Sequence, residues 1–149
     1  MKPKTTWILV ADGARARVLA RHGGDSHLEQ IPGGSFSGEV HRASELGTER
    51  PGKVRESANA AHHAIAPHAD WTHEEKRAFA HRLAEFLEQK AIAKAFDHFV
   101  LVAEPHFLGD LRGVLGAETQ KRLTGALDKD FTHLPLEEVE SRLTGAALL

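Results

Sequence analysis

The chain reads as an α/β protein built on a mixed sheet of about five strands flanked by helices. Three observations predict this class. Residues 99–103, Phe-Val-Leu-Val-Ala, carry no polar side chain and include two β-branched positions, as a strand buried on both faces does. Glu104 and Pro105 stop that run, and Phe107, Leu108, Leu111 and Leu115 then recur at helical spacing, so a helix follows directly. Before all this, residues 5–31 hold three short β-rich runs divided by Asp12-Gly13 and Gly23-Gly24-Asp25, a meander rather than an alternation of β and α.

The elements follow in order. Residues 5–11, TTWILVA, form the first strand and Asp12-Gly13 its turn. Residues 14–21 alternate apolar and cationic side chains, the pattern of a strand with one solvated face. Residues 27–31 make a short third strand. From 32 to 71 glycine, serine, histidine and charge dominate, which predicts a long flexible loop, either functional or an insertion without a task. Thr72 with Glu75 has the spacing of a capping box, and Phe79, Leu83, Phe86 and Leu87 make one apolar stripe. That helix runs to about residue 95 and feeds the 98–103 strand, set beside an earlier strand by a right-handed crossover. After the helix at 105–115 come a short helical stretch at 118–123, a strand at 124–127, and a last helix opened by Leu134-Pro135 with Glu137, Glu138 and Glu140 at its positive end. Ile8, Val10, Val18, Phe79, Leu83, Phe86, Val100, Val102, Leu108 and Leu111 are the expected core.

Length and composition bound the function. A chain of 149 residues, 41% apolar and 27% charged, suits one soluble domain spanning residues 1–149. A net charge of −2 gives no global pull towards nucleic acid or an anionic membrane, so such contact needs a local patch. With no cysteine there is no disulfide, thiolate metal site or Cys nucleophile, a composition that fits a reducing cytosol. No apolar run approaches the roughly 18 residues of a membrane span, and the basic start at Lys2 and Lys4 runs into a strand rather than a signal peptide. A cytoplasmic location with no membrane partner is the expectation.

Motifs for chemistry are incomplete. His62, His63, His68, His73 and His81 cluster in sequence, and His73-Glu74 begins like HExxH, but Arg77 takes the second histidine's place. No metal site and no cofactor are expected. Gly-x-Gly-x-x-Gly, the P-loop and the Gly-x-Ser-x-Gly elbow are absent. Asp12 at the end of strand one can join Glu104, Asp110 or Asp130 for metal-assisted nuclease work, or simply form a turn. Gly109 in a first helical turn suggests a close backbone approach, and Arg112 a pairing with Asp12 or Asp130, or with phosphate. Arg50, Lys53 and Arg55 make the loop locally basic.

Several segments agree with one family. They are residues 7–12 (WILVAD) with Ala14-Arg15-Ala16-Arg17; Arg50-Pro51-Gly52-Lys53; Phe79-Ala80 and Leu83-Ala84; Phe96-Asp97 and residues 100–103; Pro105 with Phe107-Leu108-Gly109, Leu111 and Arg112; and Lys129-Asp130 with Thr132. In this combination the chain resembles the bacterial host attachment protein family, described as bacterial relatives of the archaeal and eukaryotic peptide-chain release factors. The resemblance implies a ribonuclease-H-like mixed sheet, as in the release-factor central domain. Release factors carry Gly-Gly-Gln in the loop ahead of the long helix. Here Gly33-Gly34 is followed by Ser35, so the resemblance does not extend to peptidyl-tRNA hydrolysis. What it implies is a non-catalytic, ribosome- or structured-RNA-binding protein, in rescue or stalling, with Arg50, Lys53, Arg55, Arg15 and Arg17 as phosphate-binding candidates. Asp12, Arg112, Lys129 and Asp130 form a conditional acidic or ion-pair site. The alternatives are an adaptor for a protein partner that affects attachment to host cells indirectly, and a metal-dependent nuclease. Nothing in the sequence sets an oligomeric state.

Overall fold

The computed structural model describes residues 3–24, 27–38 and 72–149. The described elements are β1 (Thr5–Ala11), β2 (Arg15–His22), β3 (Glu29–Ser37), α1 (His73–Ile92), β4 (His98–Ala103), α2 (Pro105–Val114), α3 (Ala117–Arg122), β5 (Leu123–Leu127) and α4 (Leu136–Gly145). The fold is α/β, with a five-stranded mixed sheet ordered β3-β2-β1-β4-β5. The first three strands are an antiparallel meander. β4 lies parallel to β1, pairing Thr6 with His98 and Ala11 with Ala103, and β5 lies parallel to β4.

Central β1 and β4 read as unbroken apolar runs because both sheet faces are covered. On one face Trp7, Leu9, Ala11, Phe99 and Leu101 meet Phe79, Leu83 and Leu87 of α1 and Phe107 and Leu111 of α2. On the other, Ile8, Val10, Val100 and Val102 meet Phe131 and, from α4, Val139 and Leu143. Of the expected core, Phe86 and Leu108 are only partly buried, at the rim of the first cluster.

The helix starts follow local chemistry. Thr72 and Glu75 make both hydrogen bonds of the capping box, each 3.0 Å, worth about 1 kcal/mol. Glu104 caps α2, accepting from the amides of His106 at 3.0 Å and Phe107 at 3.1 Å, with Pro105 at the first helical position.

One boundary differs from expectation. The third strand does not end at Ile31, and the loop does not begin at residue 32: β3 continues through Pro32, Gly33 and Gly34 to Ser37. β3 is an edge strand, where a proline costs no ladder bond. The pairing with β2 shifts register between Arg17 and Leu19. Gly33 sits there at φ +74°, and a Cβ on Gly34 would come within 3.1 Å of the Val18 carbonyl. The glycines mark an irregular strand. The remaining stretch of the predicted loop, 39–71, lies outside the described residues.

Gly109 also departs from its reading. It is exposed, and a Cβ there would have nothing within 4 Å. Its place in α2 is explained by no close backbone approach.

Candidate functional site at the carboxyl ends of the parallel strands

β1, β4 and β5 run in one direction, so their carboxyl ends share one edge of the domain, where open α/β sheets bind ligands. Asp12 directly follows β1. Its Oδ1 accepts from the amides of Ala14 and Arg15, both at 2.9 Å, closing the β1–β2 turn over Gly13 at φ +94°. The turn-forming role of Asp12 is real, but it occupies only one carboxylate oxygen. Oδ2 faces the Thr132 hydroxyl at 3.3 Å.

Thr132 belongs to the connection between β5 and α4. Its amide donates to Asp130 Oδ1 at 3.0 Å, and its hydroxyl donates to the same oxygen. A hydroxyl has one proton, so Asp12 and Asp130 share a single donor between two carboxylates. His133 completes the group: one ligand atom each from Asp12, Asp130 and His133 lies within 4.8 Å of the others. Asp12 is half-buried, Asp130 and His133 exposed. Two carboxylate oxygens and an imidazole nitrogen are donor types that a divalent cation such as Mg²⁺, Mn²⁺ or Zn²⁺ takes, but ligands on one such ion lie closer together than 4.8 Å, so side chains at that full separation would have to draw in to share one. These are the described residues that can hold one.

The other candidates are distributed differently. Lys129 is exposed next to Asp130. Arg112 is exposed on α2, and among the described residues no ion pair joins it to Asp12 or Asp130. The pairing read for it is therefore not formed. Glu104 is committed to capping α2, and Asp110 lies 3.9 Å from His73 on the α1–α2 side. Arg15 is half-buried beside Asp12. Arg17, read as a phosphate ligand, instead donates to the Phe131 carbonyl at 3.2 Å and to the Leu134 carbonyl. Burial lowers its pKa from the usual arginine value. Arg50, Lys53 and Arg55, with His62, His63 and His68, lie outside the described residues.

His133 was missed by sequence reasoning. Its neighbour Asp12 is distant in the chain, and no short spacing encodes that meeting. The one available signal was its place directly after Asp130 and Thr132.

The described chain departs and returns at this same end. The Gly38 amide donates to the Ala14 carbonyl at 2.9 Å. The chain resumes at Thr72, one turn before Lys76, whose side chain lies 3.5 Å from where a Gly13 Cβ would be. Among the described residues no helix is long and apolar enough to cross a membrane.

The described residues define an α/β fold with a polar cluster at the carboxyl edge of its parallel strands. Residues 7–143 match the family described as "Protein required for attachment to host cells". The match covers most of the chain, and the chain belongs to that host-attachment family. Among curated proteins, no relative matches it.

Proposed function

We propose that this host-attachment protein acts in attachment indirectly, as a cytoplasmic, non-catalytic binding module for structured RNA of the translation machinery. This takes the finer, ribonuclease-H-like and release-factor-like reading of the fold. One observation carries it. The segment bearing Arg50, Lys53 and Arg55 leaves and re-enters the described domain at the edge that also presents Lys76, Lys129 and His133. Lys76 and Lys129 at this edge, with the Arg50, Lys53 and Arg55 that the sequence places between the two attachment points, are the side chains that would supply the phosphate contacts a net charge of −2 does not.

The test is co-sedimentation with ribosomes and retention of structured RNA, comparing wild type with Arg50→Ala/Lys53→Ala and with Lys129→Ala. The expected result is binding by wild type, weakened in the variants, with the salt slope reduced by about one per lost phosphate contact. Equal and negligible binding by all three overturns the proposal. Capture of a stable protein partner, insensitive to nuclease and to these substitutions, replaces it with the adaptor reading.

A second reading rests on the cluster itself. If Asp12, Asp130 and His133 hold a divalent cation, that ion would supply the chemistry of metal-assisted phosphodiester hydrolysis. Mg²⁺- or Mn²⁺-dependent cleavage of RNA or DNA by wild type, abolished in Asp12→Asn and Asp130→Asn, would establish it. Absence of cleavage across both substrates would remove it.

A further inference from the structure

Arg17 is an unusual occupant of its position. Its neighbours Ala16 and Val18 are buried on the α1 side of the sheet, so the Arg17 side chain projects towards α4. There its Nε is buried with no hydrogen-bond partner. A desolvated donor left unmade is a cost that a methionine of similar reach would avoid.

The compensation is at the far end of the side chain. The Leu134 amide donates to the Phe131 carbonyl at 3.1 Å, which closes a four-residue turn. Arg17 Nη2 donates to the carbonyls of that turn's first and last residues, Phe131 and Leu134. The two residues between them are Thr132 and His133. One guanidinium therefore grips both ends of the turn whose middle presents the shared hydroxyl and the imidazole to Asp12 and Asp130. Arginine suits this because several donors are fixed in one plane.

We propose that Arg17 is a positioning residue for the candidate site, clamping the turn from residue 131 to 134 so that Thr132 and His133 stay in register with Asp12 and Asp130. The inference rests on reading this edge as the functional one, but its geometry is testable apart from that reading. Arg17 then serves binding through the turn rather than by touching phosphate.

The test uses Arg17→Met, which keeps the packing and removes the donors, and Arg17→Lys, which keeps donors. Amide hydrogen exchange is followed at Thr132, with Val100 and Leu101 as core references. In Arg17→Met the Thr132 amide should exchange at least about tenfold faster, with the core references unchanged. In Arg17→Lys part of the protection should return. Wild-type protection at Thr132 in Arg17→Met overturns the proposal. So does a loss that reaches Val100 and Leu101 equally in both variants, since that marks a role in the whole fold. RNA retention and Mn²⁺ binding are measured on the same samples. If wild type shows neither, the reading of the edge fails while the exchange data still decide the clamp.

Discussion

The two faces of the sheet are built by different chemistry. The face under α1 and α2 carries the aromatic packing: Trp7 stacks on Phe96 at 4.8 Å, Phe79 on Phe107 at 5.9 Å, and Phe36 meets Phe86 edge-on at 4.9 Å. The face under α4 has a smaller cluster, closed by a ten-residue helix, and admits the arginine that holds the 131–134 turn. The larger apolar cluster, and with it the larger expected share of stability, lies on the first face, and the polar contacts that hold the candidate site lie on the second. A domain that keeps one face dry and rigid can spend the other on a less stable, functional arrangement.

Core truncations on the two faces test that contrast most strongly. Phe107 is fully buried between α2, α1 and the sheet. Phe107→Ala should cost about 3–5 kcal/mol. Leu143, equally buried under the other face, should cost about 2–3 kcal/mol as Leu143→Ala, because a ten-residue helix over the smaller cluster relaxes more easily around a cavity. Urea denaturation of both variants measures the difference. A Leu143→Ala cost equal to or above that of Phe107→Ala would break the assignment of stability to the aromatic face.

Glu88 offers a smaller effect on the first face. From α1 its carboxylate reaches across to α3, accepting from the Glu118 and Thr119 amides, both at 3.0 Å, and from the buried Thr119 hydroxyl at 2.9 Å. It caps a helix in which Gly116, at the cap position, has no side chain to do so. A Cβ on Gly116 would collide with the Glu88 carboxylate at 2.4 Å. Burial alone would raise the Glu88 pKa, but these hydrogen bonds outweigh it and the value falls below that of an ordinary glutamate. A carboxyl whose folded pKa is depressed stabilises the protein above its unfolded pKa, and that contribution is lost as pH falls through the folded pKa. Glu88→Gln should therefore cost about 1 kcal/mol at pH 7. The gap from wild type should close as pH drops below the ordinary glutamate value. Denaturation curves at pH 7 and at low pH check this, and a gap that persists in acid would assign the effect to shape rather than charge.

Glu88 and Glu104 also show what the sequence makes legible. Glu104 caps from within its own segment, so Glu-Pro before an apolar stripe announces a helix start. The carboxylate that caps α3 comes from another helix, so Gly116-Ala117-Glu118 carries no trace of it. The same rule governs the site. Strands, helices and the mixed sheet were readable because apolar periodicity is local. Asp12 and Asp130 were readable as candidates, being carboxylates at strand ends. His133 was not, because only the parallel pairing of β1, β4 and β5 brings their carboxyl ends together. The bonds Arg17 makes to the 131–134 turn were not readable for a related reason. An arginine in an alternating strand looks solvated until the turn that accepts its donors is in place. In β3, Gly33 and Gly34 resembled a loop because an edge strand with a register shift uses the residues that loops use.

The smallest predicted effects lie at the two helix ends, and they ask whether the faces unfold together. Lys94 after α1 and Ala147 after α4 both adopt positive φ, at 63° and 62°. Each is followed by an amide that reaches back five residues, Ala95 to Lys90 and Leu148 to Leu143, both at 2.9 Å, which is the end that glycine fits best. Lys94→Gly and Ala147→Gly should each stabilise by about 0.5–1 kcal/mol, after the added freedom of glycine in the unfolded chain is subtracted. If the domain unfolds as one cooperative unit, both substitutions raise the urea midpoint. Should Ala147→Gly protect only the amides of α4 and leave the midpoint unchanged, the α4 face opens on its own. The 131–134 turn would then be anchored to the less stable part of the fold, and the Arg17 bonds from β2 would be what ties it to the stable part.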